Sequence, residues 1–228
     1  MRWLAASVHV LTASGAVAAL FAALAVFDHH AETMFLWLGV AFFIDGIDGA
    51  FARAVRVSER LPRFSGDRLD LIVDYLTYVF IPVLALLAWH YLDGMAGLVI
   101  AALILLSSLF HFADLESKSK DNAFVGFPAV WNIVAFYVFA FQLSPAATAV
   151  LSIAAIVAAF LPIPWLHPLR VQTLRPLSVL VTGVFAVTSL MTVWRGFPAS
   201  HGQQAVLGAV AIYGAGLSVY LWLRTKAI

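Results

Sequence analysis

The sequence predicts an all-α fold, a polytopic membrane helical bundle of about eight transmembrane helices. Hydrophobic residues fill 63% of its 228 positions and charged residues only 11%, whereas soluble domains are roughly half apolar and a quarter charged. The apolar residues recur in stretches of about 20, the length needed to cross a bilayer core roughly 30 Å thick. A net charge of +1 argues against a nucleic-acid partner, which normally requires a concentrated cationic face.

Eight apolar stretches follow one another along the chain, with polar turns such as Asp93-Gly94 and Ser144-Pro145 between them. The first stretch is longer than a signal-peptide core of roughly 7–15 residues, so we expect it to be a retained helix. The predicted helices span residues 3–27, 34–55, 69–91, 95–112, 124–142, 146–162, 176–194 and 203–223. No soluble domain fits between them, so residues 1–228 are expected to form one transmembrane domain.

The basic residues predict how the chain is oriented in the membrane. With eight spans and the N-terminus inside, every lysine and arginine except Arg195 falls on one side. The positive-inside rule then places both termini in the cytoplasm. The stretch from Ser58 to Ser65 is polar and Arg-rich, with Leu61 and Phe64 interleaved. It is either an interfacial segment along the cytoplasmic headgroups, between the second and third spans, or an ordinary solvated loop.

Four aspartates in two neighbouring helices form the candidate site. An ionisable group inside a span costs at least a few kcal/mol, so it is expected to face a cavity or a partner. One helix carries two carboxylates and two small residues at the i, i+3, i+4, i+7 spacing of a single face: Asp45, Asp48, Gly49 and Ala52. The next helix carries a glycine and two carboxylates at four-residue intervals: Gly66, Asp70 and Asp74. We expect the two stripes to face each other.

Four neighbouring carboxylates would repel one another in a low-dielectric setting unless cations joined them. All-oxygen ligation suits Mg²⁺ or Mn²⁺, and two such ions could hold a phosphate group. The small residues would let a nucleotide or a diphosphate approach the helix backbone closely. In one alternative, the carboxylates merely pair with nearby arginines. In another, they line the cation pathway of a transporter. Neither alternative requires the glycine and alanine spacing.

These residues resemble the signature of the CDP-alcohol phosphotransferase family, Asp-x2-Asp-Gly-x2-Ala-Arg, a spacer, and Gly-x3-Asp-x3-Asp. Every fixed position within residues 45–74 is present: Asp45, Asp48, Gly49, Ala52, Arg53, Gly66, Asp70 and Asp74. The spacer, residues 54–65, is longer than in most members. Four features resemble those of the bacterial family members that make phosphatidylcholine. They are the long spacer, the Asp45-Gly46 start, the eight predicted spans and the segment 118–132.

The resemblance implies that the protein transfers the phosphatidyl group of CDP-diacylglycerol to choline and releases CMP. It implies a homodimer among the lipids of the bacterial inner membrane, with a cytoplasmic active site. It further implies that Mn²⁺ or Mg²⁺ is bound by four carboxylates, Asp45, Asp48, Asp70 and Asp74. The nucleotide would be contacted by Asp48, Gly49, Ala52, Arg53 and Gly66. Asp74 would also act as the general base that takes the proton of the acceptor hydroxyl. Serine or glycerol phosphate is the alternative acceptor within the family.

A quaternary ammonium has no N–H donor, so we expect choline to be recognised by aromatic faces together with a carboxylate. The candidate contacts follow the last aspartate of the signature and the later segment: Tyr75, Tyr78, Asp121, Asn122, Trp131 and Asn132. Taken alone, an aromatic residue in a membrane helix more often faces lipid or packs at the interface than contacts a ligand.

Overall fold

The computed structural model describes residues 2–115, 124–165 and 173–226. In these ranges the chain is nearly all helical, with a two-stranded antiparallel ribbon that pairs Phe124 with Trp165 and Val125 with Pro164. A π-helical segment, Tyr75–Phe80, joins the helices Gly66–Asp74 and Ile81–Ala88. The helices and strands in chain order are α1 (Arg2–Phe27), α2 (Ala31–Val55), α3 (Val57–Arg60), α4 (Gly66–Asp74), α5 (Ile81–Ala88), α6 (Gly94–Ala113), β1 (Phe124–Val125), α7 (Trp131–Phe141), α8 (Pro145–Ala159), β2 (Pro164–Trp165), α9 (Arg175–Arg195) and α10 (His201–Lys226).

Six helices of the described ranges are long and apolar enough to cross a bilayer. They are α1, α2, the continuous helix Gly66–Ala88, α6, α9 and α10. The prediction of a nearly all-helical chain is therefore confirmed, and several of its helices have the length and composition to span a membrane.

Two predicted spans, 124–142 and 146–162, correspond to shorter helices. α7 has 11 residues and α8 has 15, below the roughly 17–25 that a span usually needs. α7 begins only at Trp131 because Gly126 and Ala129 have φ angles of 79° and 53°, outside the helical region. Pro128 also lies there, and it disfavours helical geometry in the residue before it. The count of eight spans stays a prediction.

Local signals set the ends of the helices that carry the signature. The hydroxyl of Ser65 accepts a hydrogen bond of 3.3 Å from the backbone N–H of Arg68, an N-cap that starts α4 at Gly66. The predicted start, residue 69, was three residues late. At the end of α2, Arg56 adopts the left-handed conformation (φ 53°), and its N–H donates to the carbonyls of Ala52 and Arg53.

The π-helical segment has a cause in the sequence. Pro82 lacks an N–H, so it cannot donate to the carbonyl of Tyr78 as a regular α-helix would require. The N–H of the preceding Ile81 donates to the carbonyl of Leu76, five residues earlier, and not to that of Thr77 as in an α-helix. A turn closed over five residues is wider than an α turn, which changes the direction in which the side chains after Asp74 project.

Contacts divide the chain into two compact units, Met1–His90 with Trp131–Ala135, and Tyr91–Val130 with Phe136–Ile228. In the first unit, α1 packs against α2, α4 and α5. A Cβ atom on Gly15 would stand 2.5 Å from Cγ1 of Val73, so α1 and α4 approach each other closely where Gly15 has no side chain. Val57 of α3 is buried against Ala5 and Val8 of α1. Helix α1 therefore contacts both helices of the signature and the spacer between them.

In the second unit, α6 packs against α8 and α9 against α10. Partly buried polar groups link helices of this unit: the hydroxyls of Ser178 on α9 and Tyr213 on α10 lie 2.8 Å apart, and Tyr137 on α7 donates to the carbonyl of Leu207 on α10 at 2.9 Å. Such bonds are typical of helix contacts in membranes, where no water can satisfy a polar group. The expectation of a single domain over residues 1–228 stays a prediction.

Candidate active site

Three of the four signature aspartates meet in the first unit. Asp45, Asp70 and Asp74 each offer one carboxylate oxygen, and these oxygens lie within 4.8 Å of one another. Helix α2 supplies Asp45, and α4 supplies the other two from successive turns. All three residues are half-buried. Three oxygen donors at this spacing suit a hard divalent cation such as Mg²⁺ or Mn²⁺.

Asp48 has different surroundings from the other three aspartates. It is 6% exposed, and its Oδ2 accepts a hydrogen bond of 2.5 Å from the hydroxyl of Thr12 on α1. It does not belong to the group of three whose oxygens converge. A hydrogen bond to a buried carboxylate limits its rotation. The predicted fourth ligand is thus oriented by the first helix.

Tyr78 lies against the carboxylate group. Its hydroxyl donates a hydrogen bond of 2.5 Å to Oδ2 of Asp45, and the residue is only 8% exposed. Its ring lies 6.1 Å from that of Phe42, tilted by 45°. The structure therefore places Tyr78, a predicted choline contact, in direct contact with one of the three converging aspartates.

The small residues of the signature differ in what they contact. A Cβ atom on Gly49 would stand 3.3 Å from Nη1 of Arg53, so this arginine lies over the glycine. A Cβ atom on Gly66 would stand 3.5 Å from Cε1 of His9 on α1. Ala52 packs, partly buried, against the apolar cluster formed by α1 and α3. These predicted nucleotide contacts therefore have different surroundings on α2 and at the start of α4.

Two polar residues of α1, His9 and Thr12, lie at the site but were not predicted from the sequence. The imidazole of His9 packs edge-on against Phe64 with ring centroids 6.3 Å apart. Its Nε2 is buried and has no hydrogen-bond partner within the described residues. Their spacing could have indicated a role at the site. Residues three apart share one face of a helix, and two polar side chains on one face of an apolar span are expected to meet a polar partner.

The remaining predicted choline contacts lie in different parts of the chain. Tyr75 is half-buried and is the first residue of the π-helical segment. Trp131 and Asn132 begin α7 in the same unit as the aspartates, and they are 1% and 9% exposed. The side-chain oxygen of Asn132 accepts the next backbone N–H at 2.9 Å. Asp121 and Asn122 lie outside the described residues.

No family model matches the chain, but it is similar over most of its length to proteins named phosphatidylcholine synthase. The relative from Bradyrhizobium diazoefficiens is 44% identical over 213 residues, which cover 93% of this chain and 80% of the relative. The one from Pseudomonas aeruginosa is 43% identical, with 80% and 76% of the two chains covered. The one from Borreliella burgdorferi is 28% identical, with 99% and 96% covered.

These relatives carry a name consistent with the CDP-alcohol phosphotransferase signature of residues 45–74. Because the identity extends over most of both chains, the similarity includes the signature together with the membrane helices around it. The chain belongs to the phosphatidylcholine synthase family.

Proposed function

We propose that this protein is a membrane-embedded phosphatidyltransferase that makes phosphatidylcholine from CDP-diacylglycerol and choline and releases CMP. The observation that carries the proposal is the convergence of Asp45, Asp70 and Asp74 in a chain of this family. A diphosphate carries several negative charges, and carboxylates alone would repel it. A site of this kind is therefore suited to the diphosphate of a CDP-lipid when a cation accompanies it.

Asp45, Asp70 and Asp74 would hold a divalent cation, Mn²⁺ or Mg²⁺. Their carboxylate oxygens lie close together, and oxygen ligands suit either ion. The bound cation would neutralise charge on the phosphate oxygens. Asp48 is proposed as a further ligand, acting through Oδ1, because its Oδ2 already accepts the hydrogen bond from Thr12. Gly49, Ala52, Arg53 and Gly66 are proposed to contact the nucleotide.

Asp74 is proposed as the general base. It would accept the proton of the choline hydroxyl while the choline oxygen bonds to the phosphorus that carries diacylglycerol. The bond from this phosphorus to the CMP oxygen breaks, and CMP leaves with the electron pair. Asp74 lies one turn beyond Asp70 in α4, so the base is next to the carboxylates that would hold the cation. In-line positioning of the two reactants supplies much of the remaining rate enhancement.

The proposed topology has eight spans, with α7 and α8 as the two short ones, and both termini and the active site in the cytoplasm. Its support is the distribution of lysine and arginine, which leaves only Arg195 on the opposite side. The bacterial relatives support a location in the inner membrane. We also propose that the protein is a homodimer, as the resemblance to the family implies.

The segment from Ser58 to Ser65 is proposed to lie along the cytoplasmic headgroups. Its anchor is Val57, which is buried against α1 while Arg63 and Phe64 are exposed. An exposed arginine beside an exposed aromatic ring is the combination that favours the interface between water and lipid.

The test is CMP release from labelled CDP-diacylglycerol by the purified full-length chain in detergent micelles. Choline, serine and glycerol phosphate are compared as acceptors, each with Mn²⁺ and with a chelator. We expect CMP only when choline and the cation are both present, and none from Asp70→Ala prepared in parallel. Equal release with serine, or full release in chelator, would contradict the proposal.

A further inference from the structure

We infer that Tyr78 positions Asp45 for the divalent cation, and that it is a positioning residue of the transferase site and not a contact for the ammonium group of choline. The inference rests on the proposed function, because it takes Asp45 as a cation ligand. It assigns a specific task to a residue outside the eight positions of the signature.

The hydrogen bond between these two residues fixes the aspartate. Oδ2 of Asp45 accepts the Tyr78 hydroxyl at 2.5 Å, so the carboxylate cannot rotate freely about its last bond. Tyr78 is itself held in place, since it is 8% exposed and its ring lies 6.1 Å from that of Phe42. Partners that hydrogen-bond a ligating carboxylate orient it for the metal, and their loss typically weakens metal binding about 10–100-fold.

The π-helical segment explains how Tyr78 reaches this position. In a regular α-helix, residues four apart are offset by about 40° around the axis, so Tyr78 would be turned by about 80° from Asp70. A π turn contains more residues, which reduces the second offset and keeps Tyr78 close to the stripe of Asp70 and Asp74. The Tyr78 hydroxyl and the carboxylates of Asp70 and Asp74 then all lie close to the carboxylate of Asp45.

The same geometry argues against an ammonium contact at Tyr78. A cation–π site requires a ring face that the ligand can reach. Only 8% of Tyr78 is exposed, and its hydroxyl is occupied by a carboxylate. The trimethylammonium group of choline is bulky and would need considerably more open ring surface.

The experiment measures Mn²⁺ binding directly, through the electron paramagnetic resonance signal of free Mn²⁺, alongside turnover. Tyr78→Phe keeps the ring and removes the hydroxyl. We expect it to bind Mn²⁺ about 10–100-fold more weakly, to regain turnover at high Mn²⁺, and to keep its KM for choline. The matched control is Tyr213→Phe, which removes a tyrosine hydroxyl from its contact with Ser178 between α9 and α10 and should leave Mn²⁺ binding unchanged.

The outcomes separate this inference from the proposed function. Asp45→Ala should abolish Mn²⁺ binding at this site, and unchanged binding in that variant would overturn the proposed cation site itself. If Asp45→Ala loses Mn²⁺ while Tyr78→Phe binds it as the wild type does, the positioning role alone is wrong. A higher KM for choline with unchanged Mn²⁺ binding would also overturn it.

A second pair of variants guards against poor folding of Tyr78→Phe. Tyr78→Gln and Tyr78→Leu both lose the ring, but only glutamine keeps a hydrogen-bond donor. We expect tighter Mn²⁺ binding in Tyr78→Gln than in Tyr78→Leu. Equal affinity in this pair would count against the inference.

Discussion

The hydroxyl of Thr12 on α1 donates a hydrogen bond to Asp48 on α2, across 36 positions of sequence. Both residues are 6% exposed, so the bond is made in a setting where water cannot replace it. A hydrogen bond to a charged group in such a place contributes about 1.5–3 kcal/mol. One signature carboxylate therefore depends on a residue that the signature does not include.

Thr12→Val should lower turnover by about tenfold or more, because valine has the shape of threonine but no hydroxyl to offer Asp48. Thr12→Ser keeps the hydroxyl and is the matched control. CMP release at saturating substrate and thermal unfolding in detergent would be measured for both variants. Equal turnover of the valine and serine variants would show that the bond has no part in the reaction.

Asp70→Ala should abolish turnover, since it removes one of the three converging carboxylates. Asp45→Ala and Asp48→Ala are expected to do the same. Asp67→Ala is the control, because Asp67 is an exposed residue of the same helix outside the carboxylate group. CMP release across a series of Mn²⁺ concentrations would be compared. Comparable activity of Asp70→Ala and Asp67→Ala would rule out a cation site at this group.

Asp74→Asn should reduce turnover by about 10²-fold or more, the usual scale for loss of a general base. Asparagine has the same size but cannot accept the proton, so the fold and the binding of CDP-diacylglycerol should be retained. Turnover and substrate binding would be measured on the same preparation. Recovery of turnover with excess Mn²⁺ would show that Asp74 acts as a cation ligand. Near-normal turnover without excess Mn²⁺ would exclude both the general-base role and the ligand role.

Gly15→Ala should destabilise the first unit, because the added Cβ would stand 2.5 Å from Cγ1 of the buried Val73. Overpacking of this kind typically costs about 1–3 kcal/mol. Gly39→Ala on α2 is the control, since a Cβ there meets nothing within 4 Å. Thermal midpoints in detergent would be compared. The double variant Gly15→Ala/Val73→Ala should regain stability, and a single variant as stable as the control would contradict the close approach of α1 and α4.

Cysteines at His29 and Arg63 should react with a membrane-impermeant thiol reagent from opposite sides of the membrane. Both side chains are exposed, and the helix Ala31–Val55 separates them. The chain has no cysteine of its own, so each variant carries one label. Labelling in intact cells and in inverted vesicles would be compared. Reaction of both positions from the same side would contradict the proposed topology.

The long helices were predictable because each is a nearly continuous apolar run with a length that the bilayer selects. The predicted helix at 124–142 was too long, because hydropathy does not register the positive φ angles of Gly126 and Ala129. The carboxylate stripes were predicted from the spacing of three residues between Asp45 and Asp48 and of four between Asp70 and Asp74. The contact between Thr12 and Asp48 could not be predicted, since local spacing contains no information on which helices become neighbours. The contact of Tyr78 with Asp45 could not be predicted either, because hydropathy does not distinguish a π-helical turn, such as the one that Ile81 closes on Leu76, from an α-helical one.

The docking of α1 against both α2 and α4 has a consequence for how this family can vary. The two halves of the signature are aligned by a third helix, through Thr12 on one side and Gly15 on the other. The spacer between the halves folds into α3 and rests on the same helix through Val57. We therefore expect the positions of the carboxylates to depend more on α1 than on the length of the spacer beyond Val57.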